Sequence, residues 1–227
     1  MSNITHFLKR MTRSKPTVFG GILLLILGLI SFIGPALTPY SSTTFSGPIL
    51  NPPSASHWFG TDDFGRDVLT RTLWGLRVSF LIGLTTSLIS SIAGVLIGMV
   101  AGFLDNWDYG LMRVMDVIMS FPSLLLAMAI MITLGNAPAN IVLALALVYT
   151  PRTARIVRSS TLSVSEEEYI EATQAMGFST WRTLSRHVLP NIFPSLAVQA
   201  TFVFAYAVLG EAGLSFIGVG IQPPTPS

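Results

Sequence analysis

Long uncharged stretches constrain the fold of this sequence more than any other feature. No charged residue occurs in Val18–Leu37, in Val78–Leu104 or in Val117–Pro151. A helix of about 20 apolar residues crosses the ~30 Å hydrocarbon core of a bilayer. Each stretch is long enough for at least one such helix, and the sequence therefore predicts an all-α protein embedded in a membrane.

Composition excludes the other broad classes of protein. Only 11% of the 227 residues are charged, against about 25% in soluble globular domains. The 51% of hydrophobic residues excludes a disordered chain. The formal net charge of +2 provides no basic field for nucleic acid. The absence of cysteine excludes disulfides and thiol catalysis.

We predict five spans. The first leads into Pro35 and Pro39 without a cleavage site, which is typical of a retained anchor. The turn signal Gly135-Asn136-Ala137-Pro138 ends the third span near Leu134 and starts the fourth near Ala139. The predicted segments are a cytoplasmic N-terminal segment, 1–16, a first span, 17–37, an extracytoplasmic segment, 38–77, and a core, 78–227, with a cytoplasmic loop at 151–190.

Within the core, Gly94 and Gly98 form a small-xxx-small step that allows another helix to approach closely. The fourth span meets three arginines after about a dozen apolar residues, and we expect them to snorkel to the interface: Arg152, Arg155 and Arg158. The acids around Arg113 predict a charged turn at the inner membrane surface: Asp105, Asp108 and Asp116.

The distribution of Lys and Arg predicts the orientation. With a cytoplasmic N-terminus, the inside segments hold all 13 Lys and Arg except Arg66, Arg71 and Arg77, as the positive-inside rule requires. Five spans then place the Pro-rich end, 222–227, on the outside, where it is typical of the middle of a loop. We therefore expect a sixth span beyond these residues.

Motifs for nucleotide hydrolysis and for metal binding are missing. The two lysines, Lys9 and Lys15, do not follow a glycine, so the chain has no Walker A loop. The histidines, His6, His57 and His187, lie in separate segments without the spacing of metal ligands. We predict that the chain is not an enzyme and holds no cofactor or metal.

The loop 151–190 carries the most informative pattern. Ser165, with a glutamate three residues later, forms a capping box that predicts a helix over Glu166–Met176. Gly177 is placed to end this helix in the left-handed conformation, and Ser179 is placed to cap a second short helix. From the residues alone, this is either an ordinary interfacial loop or a helix–Gly–helix element on the cytoplasmic face.

The stretch Glu171-Ala172-Thr173-Gln174-Ala175-Met176-Gly177, followed by Val188-Leu189-Pro190, resembles the EAA loop of bacterial ABC-importer permeases. Its third position is Thr173 instead of Ala, and His187 takes a hydrophobic position. The stretches 57–69 and 213–227 resemble segments of the dipeptide, oligopeptide and nickel permeases. The three stretches follow the order of that family.

The resemblance implies a helical bundle of the type I importer kind in the bacterial cytoplasmic (inner) membrane. It also implies a second permease subunit in a heterodimer, two cytoplasmic ATPase subunits that bind the ATP, and an extracytoplasmic solute-binding protein. The permeases would form the path for di- or oligopeptides, nickel or another small solute. The expected ATPase-coupling residues are Glu171, Ala172, Thr173, Met176, Gly177, Leu189 and Pro190.

Alternatives remain open for the class of transporter and for several residues. A channel or secondary carrier would need no ATPase and no such loop. Glu211 lies inside the fifth span. It either has a role in the pathway or its gating, or it is a hydrogen-bonded structural acid. Met119 and Met128 either line an adaptable path or pack against protein and lipid. Three acids either bind a cation or pair with the neighbouring arginines: Asp62, Asp63 and Asp67.

Overall fold

The computed structural model describes residues 14–227; most of the predicted cytoplasmic segment 1–16 lies outside this range. The helices are α1 (Lys15–Leu37), α2 (Val68–Phe103), α3 (Asp105–Met119), α4 (Ser123–Leu134), α5 (Pro138–Ser165), α6 (Glu168–Ala175), α7 (Thr180–Thr183) and α8 (Leu189–Phe216). A π-helical turn, Leu184–Val188, joins α7 to α8. The described residues contain no β-strand, and the predicted all-α fold is confirmed.

Four stretches of helix are long and apolar enough to cross a membrane: α1, α2, α5 and the continuous helix Thr180–Phe216. The pair α3 and α4 adds a fifth span if it is counted as one, although it bends by 88°. We predicted a single helix ending near Leu134, and this was wrong. The chain breaks at Pro122, because proline has no N–H to donate and disfavours helical backbone in the residue before it.

Helix α2 is the centre of the bundle and packs against α1, α5 and α8. The predicted close approach is confirmed: a Cβ atom at Gly98 would lie 2.5 Å from the Ala154 carbonyl oxygen of α5, and one at Gly94 would lie 2.6 Å from Thr153. On the α8 side, the Ser87 hydroxyl donates a hydrogen bond of 2.7 Å to the Ala200 carbonyl.

The predicted charged turn around Arg113 is instead part of helix α3. Two of its acids form ion pairs with α5, Asp108 with Arg158 and Asp116 with Arg155. We expected these two arginines to snorkel to the interface, and α3 supplies carboxylate partners for both of them. The ion pairs tie α3 to the half of α5 that leads into the loop 166–190.

The segment before α2 is held by buried polar contacts. His57 Nδ1 lies 2.9 Å from the Asp67 carboxylate, and both residues are buried. Asp67 also accepts hydrogen bonds from the backbone N–H and the hydroxyl of Thr70. Through the first of these bonds, Asp67 caps the N-terminus of α2. Burial raises the pKa of Asp67, but the hydrogen bonds from Thr70 and His57 outweigh it and lower the pKa below its usual value.

Helix α2 thus begins at Val68, so the predicted segment 38–77 contains its first turns. Asp62 pairs with Arg66 at 2.8 Å and with Arg71 at 3.4 Å. Within the described residues, no group of three potential metal ligands converges. Of the two alternatives for the acids of this segment, pairing with the neighbouring arginines is the one that the structure contains for Asp62. Asp67 pairs with His57 instead of an arginine.

Candidate functional site

The candidate site is the loop 166–190, which connects α5 to α8. The capping box was wrong: the Ser165 hydroxyl donates back to the Leu162 carbonyl, 2.8 Å away, and Ser165 belongs to α5. Helix α6 therefore covers Glu168–Ala175 and is shorter than the predicted Glu166–Met176. The pattern Ser165-Glu166-Glu167-Glu168 is compatible with a serine that ends one helix and with a serine that caps the next. The sequence alone therefore did not distinguish these two positions.

Gly177 ends α6 as predicted. Its φ of +77° lies in the left-handed region, where residues with a Cβ are strained. The turn is closed by the Phe178 N–H, which donates to the Thr173 carbonyl at 3.1 Å. A Cβ atom at Gly177 would meet nothing within 4 Å, so glycine is required here by backbone conformation and not by space.

One side of the loop is buried against the bundle. Ile170 and Thr173 of α6 and Leu184 and Val188 of the π-helical turn are 0–4% exposed. The Thr173 hydroxyl donates to the Ile170 carbonyl at 2.7 Å. The side chain of Thr173, one of the predicted ATPase-coupling residues, is thus buried and helps to hold the shape of the loop.

The other side of the loop is an exposed apolar surface, here called the loop surface. Tyr169, Met176 and Trp181 are 42%, 65% and 63% exposed, and Glu171 and Ala172 are exposed beside them. Tyr169, Ala172 and Met176, spaced i, i+3 and i+7 as on one face of a helix, are thus all solvent-facing. Sequence reasoning missed Trp181, whose signal was its place in the first turn after the Ser179 cap.

Glu171 was a candidate to pair with Arg182 or with a basic group of a partner protein, and the ion pairs of the described residues do not include Glu171–Arg182. The Arg182 guanidinium lies instead over the Phe178 ring, 4.6 Å from its centroid. The ring of Phe178 also stacks on His187 at 6.4 Å. These contacts fix the second half of the loop, and they leave the carboxylate of Glu171 exposed.

The loop continues into α8 without an interruption. We expected the second short helix to stop before the fifth span, but the π-helical turn joins it to α8, with the Leu189 N–H donating to the Leu184 carbonyl. Leu189 and Pro190 are half-buried in the first turn of α8. The Asn191 amide donates to the Tyr169 hydroxyl at 3.0 Å, which ties α6 to the same turn.

The three candidate pathway residues lie in different environments. Met119 is 41% exposed at the end of α3. Met128 is half-buried in α4 and packs against the main apolar core. Glu211 is 1% exposed near the far end of α8. The two methionines are on opposite sides of the bend at Pro122, so they belong to different helices instead of one continuous stripe.

Comparison with known proteins places the chain in a family. Residues 94–227 match the family described as "Binding-protein-dependent transport system inner membrane component", and residues 2–53 match the "N-terminal TM domain of oligopeptide transport permease C". A putative peptide transport system permease protein of Brucella suis is 44% identical over 220 residues, which cover 96% of this chain and 74% of that protein.

Other relatives agree with this placement. The dipeptide transport system permease protein DppC of Alkalihalophilus pseudofirmus is 40% identical, over 96% of this chain and 72% of that protein. The glutathione transport system permease protein GsiD of Pectobacterium atrosepticum is 37% identical, over 97% and 74%. The chain therefore belongs to the family of binding-protein-dependent transport system inner membrane components, and it is a membrane-spanning permease subunit of an ABC transporter.

Proposed function

We propose that this permease imports small peptides and that the loop surface docks on the ATPase subunits that drive the import. The chain would form a heterodimer with a second permease subunit and receive solute from an extracytoplasmic binding protein. Two cytoplasmic ATPase subunits would bind the ATP, and this chain would bind none. The N-terminus and the loop 166–190 would lie on the cytoplasmic side of the bacterial inner membrane.

The observation that carries the docking role is the exposure of three large apolar side chains on the loop 166–190. Tyr169, Met176 and Trp181 are each exposed on a loop whose residues Ile170, Leu184 and Val188 pack in an apolar core cluster. Exposed apolar side chains on a rigid element are typical of a protein interface. A carrier without an ATPase has no use for such a surface at the membrane boundary.

The proposed solute rests on the relatives. Their names give peptides, dipeptides and glutathione as the transported solutes, and this chain is similar to each along nearly its whole length.

Glu171 fits the docking role because an exposed carboxylate can pair with a basic group of the ATPase. Such a pair contributes about 0–1 kcal/mol, so the apolar contacts would supply most of the affinity.

The docking role is tested with two tryptophans of similar exposure at opposite ends of the molecule. Trp181→Ala should lower the amount of ATPase that co-purifies with the permease pair. Trp58→Ala is the matched control, because Trp58 is 70% exposed in the segment before α2, and it should leave co-purification unchanged. Equal co-purification with both variants would refute docking through the loop surface.

The transport role is tested in proteoliposomes that hold the permease pair with its ATPase subunits. A radiolabelled dipeptide, supplied with the binding protein outside, should accumulate only when ATP is enclosed on the ATPase side. Uptake that continues without the ATPase subunits would support the carrier and refute the ATP-driven importer. Accumulation of nickel in place of the dipeptide would refute the proposed solute alone.

A further inference from the structure

Glu211 is a buried carboxyl group inside a helix that is apolar enough to span a membrane. Its side chain is 1% exposed in α8, at the end remote from the loop surface. The Ser79 hydroxyl of α2 donates to one carboxylate oxygen at 2.9 Å, and the Ser215 hydroxyl donates to the other at 2.9 Å. No Lys, Arg or His is among its hydrogen-bond or ion-pair partners in the described part of the chain.

Ser215 extends this arrangement to the turn that follows α8. Its oxygen accepts a hydrogen bond of 3.1 Å from the Ile221 N–H. The turn 217–221 folds back on the end of α8, where the Val219 and Gly220 N–H groups both donate to the Leu214 carbonyl. A Cβ atom at Gly220 would lie 2.4 Å from the Ser215 oxygen, so the turn approaches the helix as closely as its backbone allows.

The hydrogen bonds from Ser79 through Glu211 and Ser215 to Ile221 form one connected set, here called the clasp. It joins three parts of the chain, α2, α8 and the turn 217–221. Ile221 is 7% exposed and belongs to the main apolar core, so the clasp and the core hold the turn at the same point.

Packing alone does not require an acid at this position. One turn of α8 before Glu211, Phe204 and Val208 pack closely against Gly83 of α2. Such an apolar contact at a small residue is the ordinary way in which two spans pack together. An ionisable group within a span is costly and is found where it has a function. Hydroxyl partners without a cation also make a contact that separates more easily than an ion pair in a low-dielectric site.

We propose that the clasp is the gate latch of the permease: Glu211 holds the turn 217–221 and α8 against α2 in the closed state, and the clasp opens when the solute enters from the outer side. This inference rests on the proposed function, because it assumes import from the side on which the turn 217–221 lies. Glu211 acts as a positioning residue, and it does not bind the solute in the closed state.

The test uses the cysteine-free sequence. Val219→Cys places one half-buried thiol on the turn, and its labelling rate by an impermeant maleimide reports how often the clasp opens in the assembled complex. Ser79→Ala, which removes one hydrogen bond to Glu211, should raise the rate about threefold, the value expected for one interhelical hydrogen bond in a membrane. Glu211→Leu should raise it further.

Ser87→Ala is the matched control. It removes a hydrogen bond between the same two helices, the one to the Ala200 carbonyl, but it leaves the clasp intact, and it should not change the labelling rate. The clasp variants should also raise ATP hydrolysis without solute, so that more ATP is consumed per imported dipeptide. A purely structural role would lower the yield of complex without changing this ratio.

Three results would overturn the proposal: equal labelling in Ser79→Ala and Ser87→Ala, an unchanged ratio of ATP consumed to dipeptide imported, or failure of Ser79→Ala to assemble with its partners. The wild-type complex is assayed in parallel. If it imports the dipeptide with ATP while the clasp variants behave as the control, the proposed function stands and only the latch fails.

Discussion

Replacing Gly177 tests whether the shape of the loop, and not only its composition, supports binding of the ATPase. The φ of +77° at this residue costs a residue with a Cβ about 1–2 kcal/mol. No atom lies within 4 Å of an added Cβ, so Gly177→Val introduces backbone strain without displacing a neighbour at that atom. The strain acts on the turn that sets α6 against α7.

The magnitude follows from the population of the docking conformation. A cost of about 1–2 kcal/mol lowers the ratio of the docking conformation to other loop conformations about 5- to 30-fold, and the apparent Kd for the ATPase should rise by up to that factor. Dipeptide uptake should fall with it. Insertion and folding of the spans should be unaffected, because the turn is exposed and contributes no buried side chain to the bundle.

The assay is a titration of the ATPase subunits onto the permease pair in nanodiscs. Gly177→Asn should bind more tightly than Gly177→Val, since asparagine tolerates the left-handed region. Gly110→Val is the control for added bulk: Gly110 lies in α3, and a Cβ there also meets nothing within 4 Å. Wild-type affinity in Gly177→Val, or equal affinity in the valine and asparagine variants, would refute the reasoning.

Three further predictions concern orientation and stability. Single cysteines at the exposed positions Ser54 and Ser179 should react with impermeant thiol reagents from opposite sides of the membrane, and labelling from one side would contradict the topology. Gly98→Ala should lower the thermal unfolding temperature, because its Cβ would lie 2.5 Å from a backbone oxygen of α5. Gly20→Ala, whose Cβ would have no atom within 4 Å, should not lower it. Equal shifts of the unfolding temperature would contradict the close approach. Asp67→Ala should destabilise the start of α2 by about 0.5–2 kcal/mol, the usual value of a helix cap, measured as a loss of protection from hydrogen exchange there. Because the pKa of Asp67 is lowered, this difference should persist at about pH 5 and shrink only as the pH falls below about 4.

The order of the helices that can span the membrane followed from the apolar stretches, but the bend between α3 and α4 and the start of α2 did not. Counting charges placed Arg71 and Arg77 outside the second helix, yet both belong to it. Arg71 pairs with Asp62. The Arg77 guanidinium lies over the rings of Phe32 and Trp74, at 5.7 and 5.4 Å. These arginines are accommodated within the helix by their contacts with Asp62, Phe32 and Trp74. Counting charges along the chain does not reveal such contacts.

The candidate site divides in the same way. The left-handed turn at Gly177 was predictable, because a glycine after a helical pattern is a local signal. The burial of Thr173 was not, since it depends on how α6 lies against the bundle. The contact of Arg182 with Phe178, four residues away, is local, but the sequence offered Glu171 as an equally plausible partner of Arg182. The π-helical turn was also missed: no local pattern in Leu184–Val188 distinguishes a π-helical from an α-helical turn.

Helix α8 links the loop surface to the clasp. Its 28 residues at about 1.5 Å each give a length of roughly 42 Å. The first turn of α8 is bound to α6 through Asn191 and Tyr169, and its last turns hold Glu211. A displacement of α6 by an ATPase docked as proposed would therefore act on the same helix that the clasp holds against α2. The π-helical turn Leu184–Val188 precedes this first turn and joins α7, which carries Trp181, to α8. Because π-helical turns often occur at functional positions, this turn is the point at which α7 can bend relative to α8.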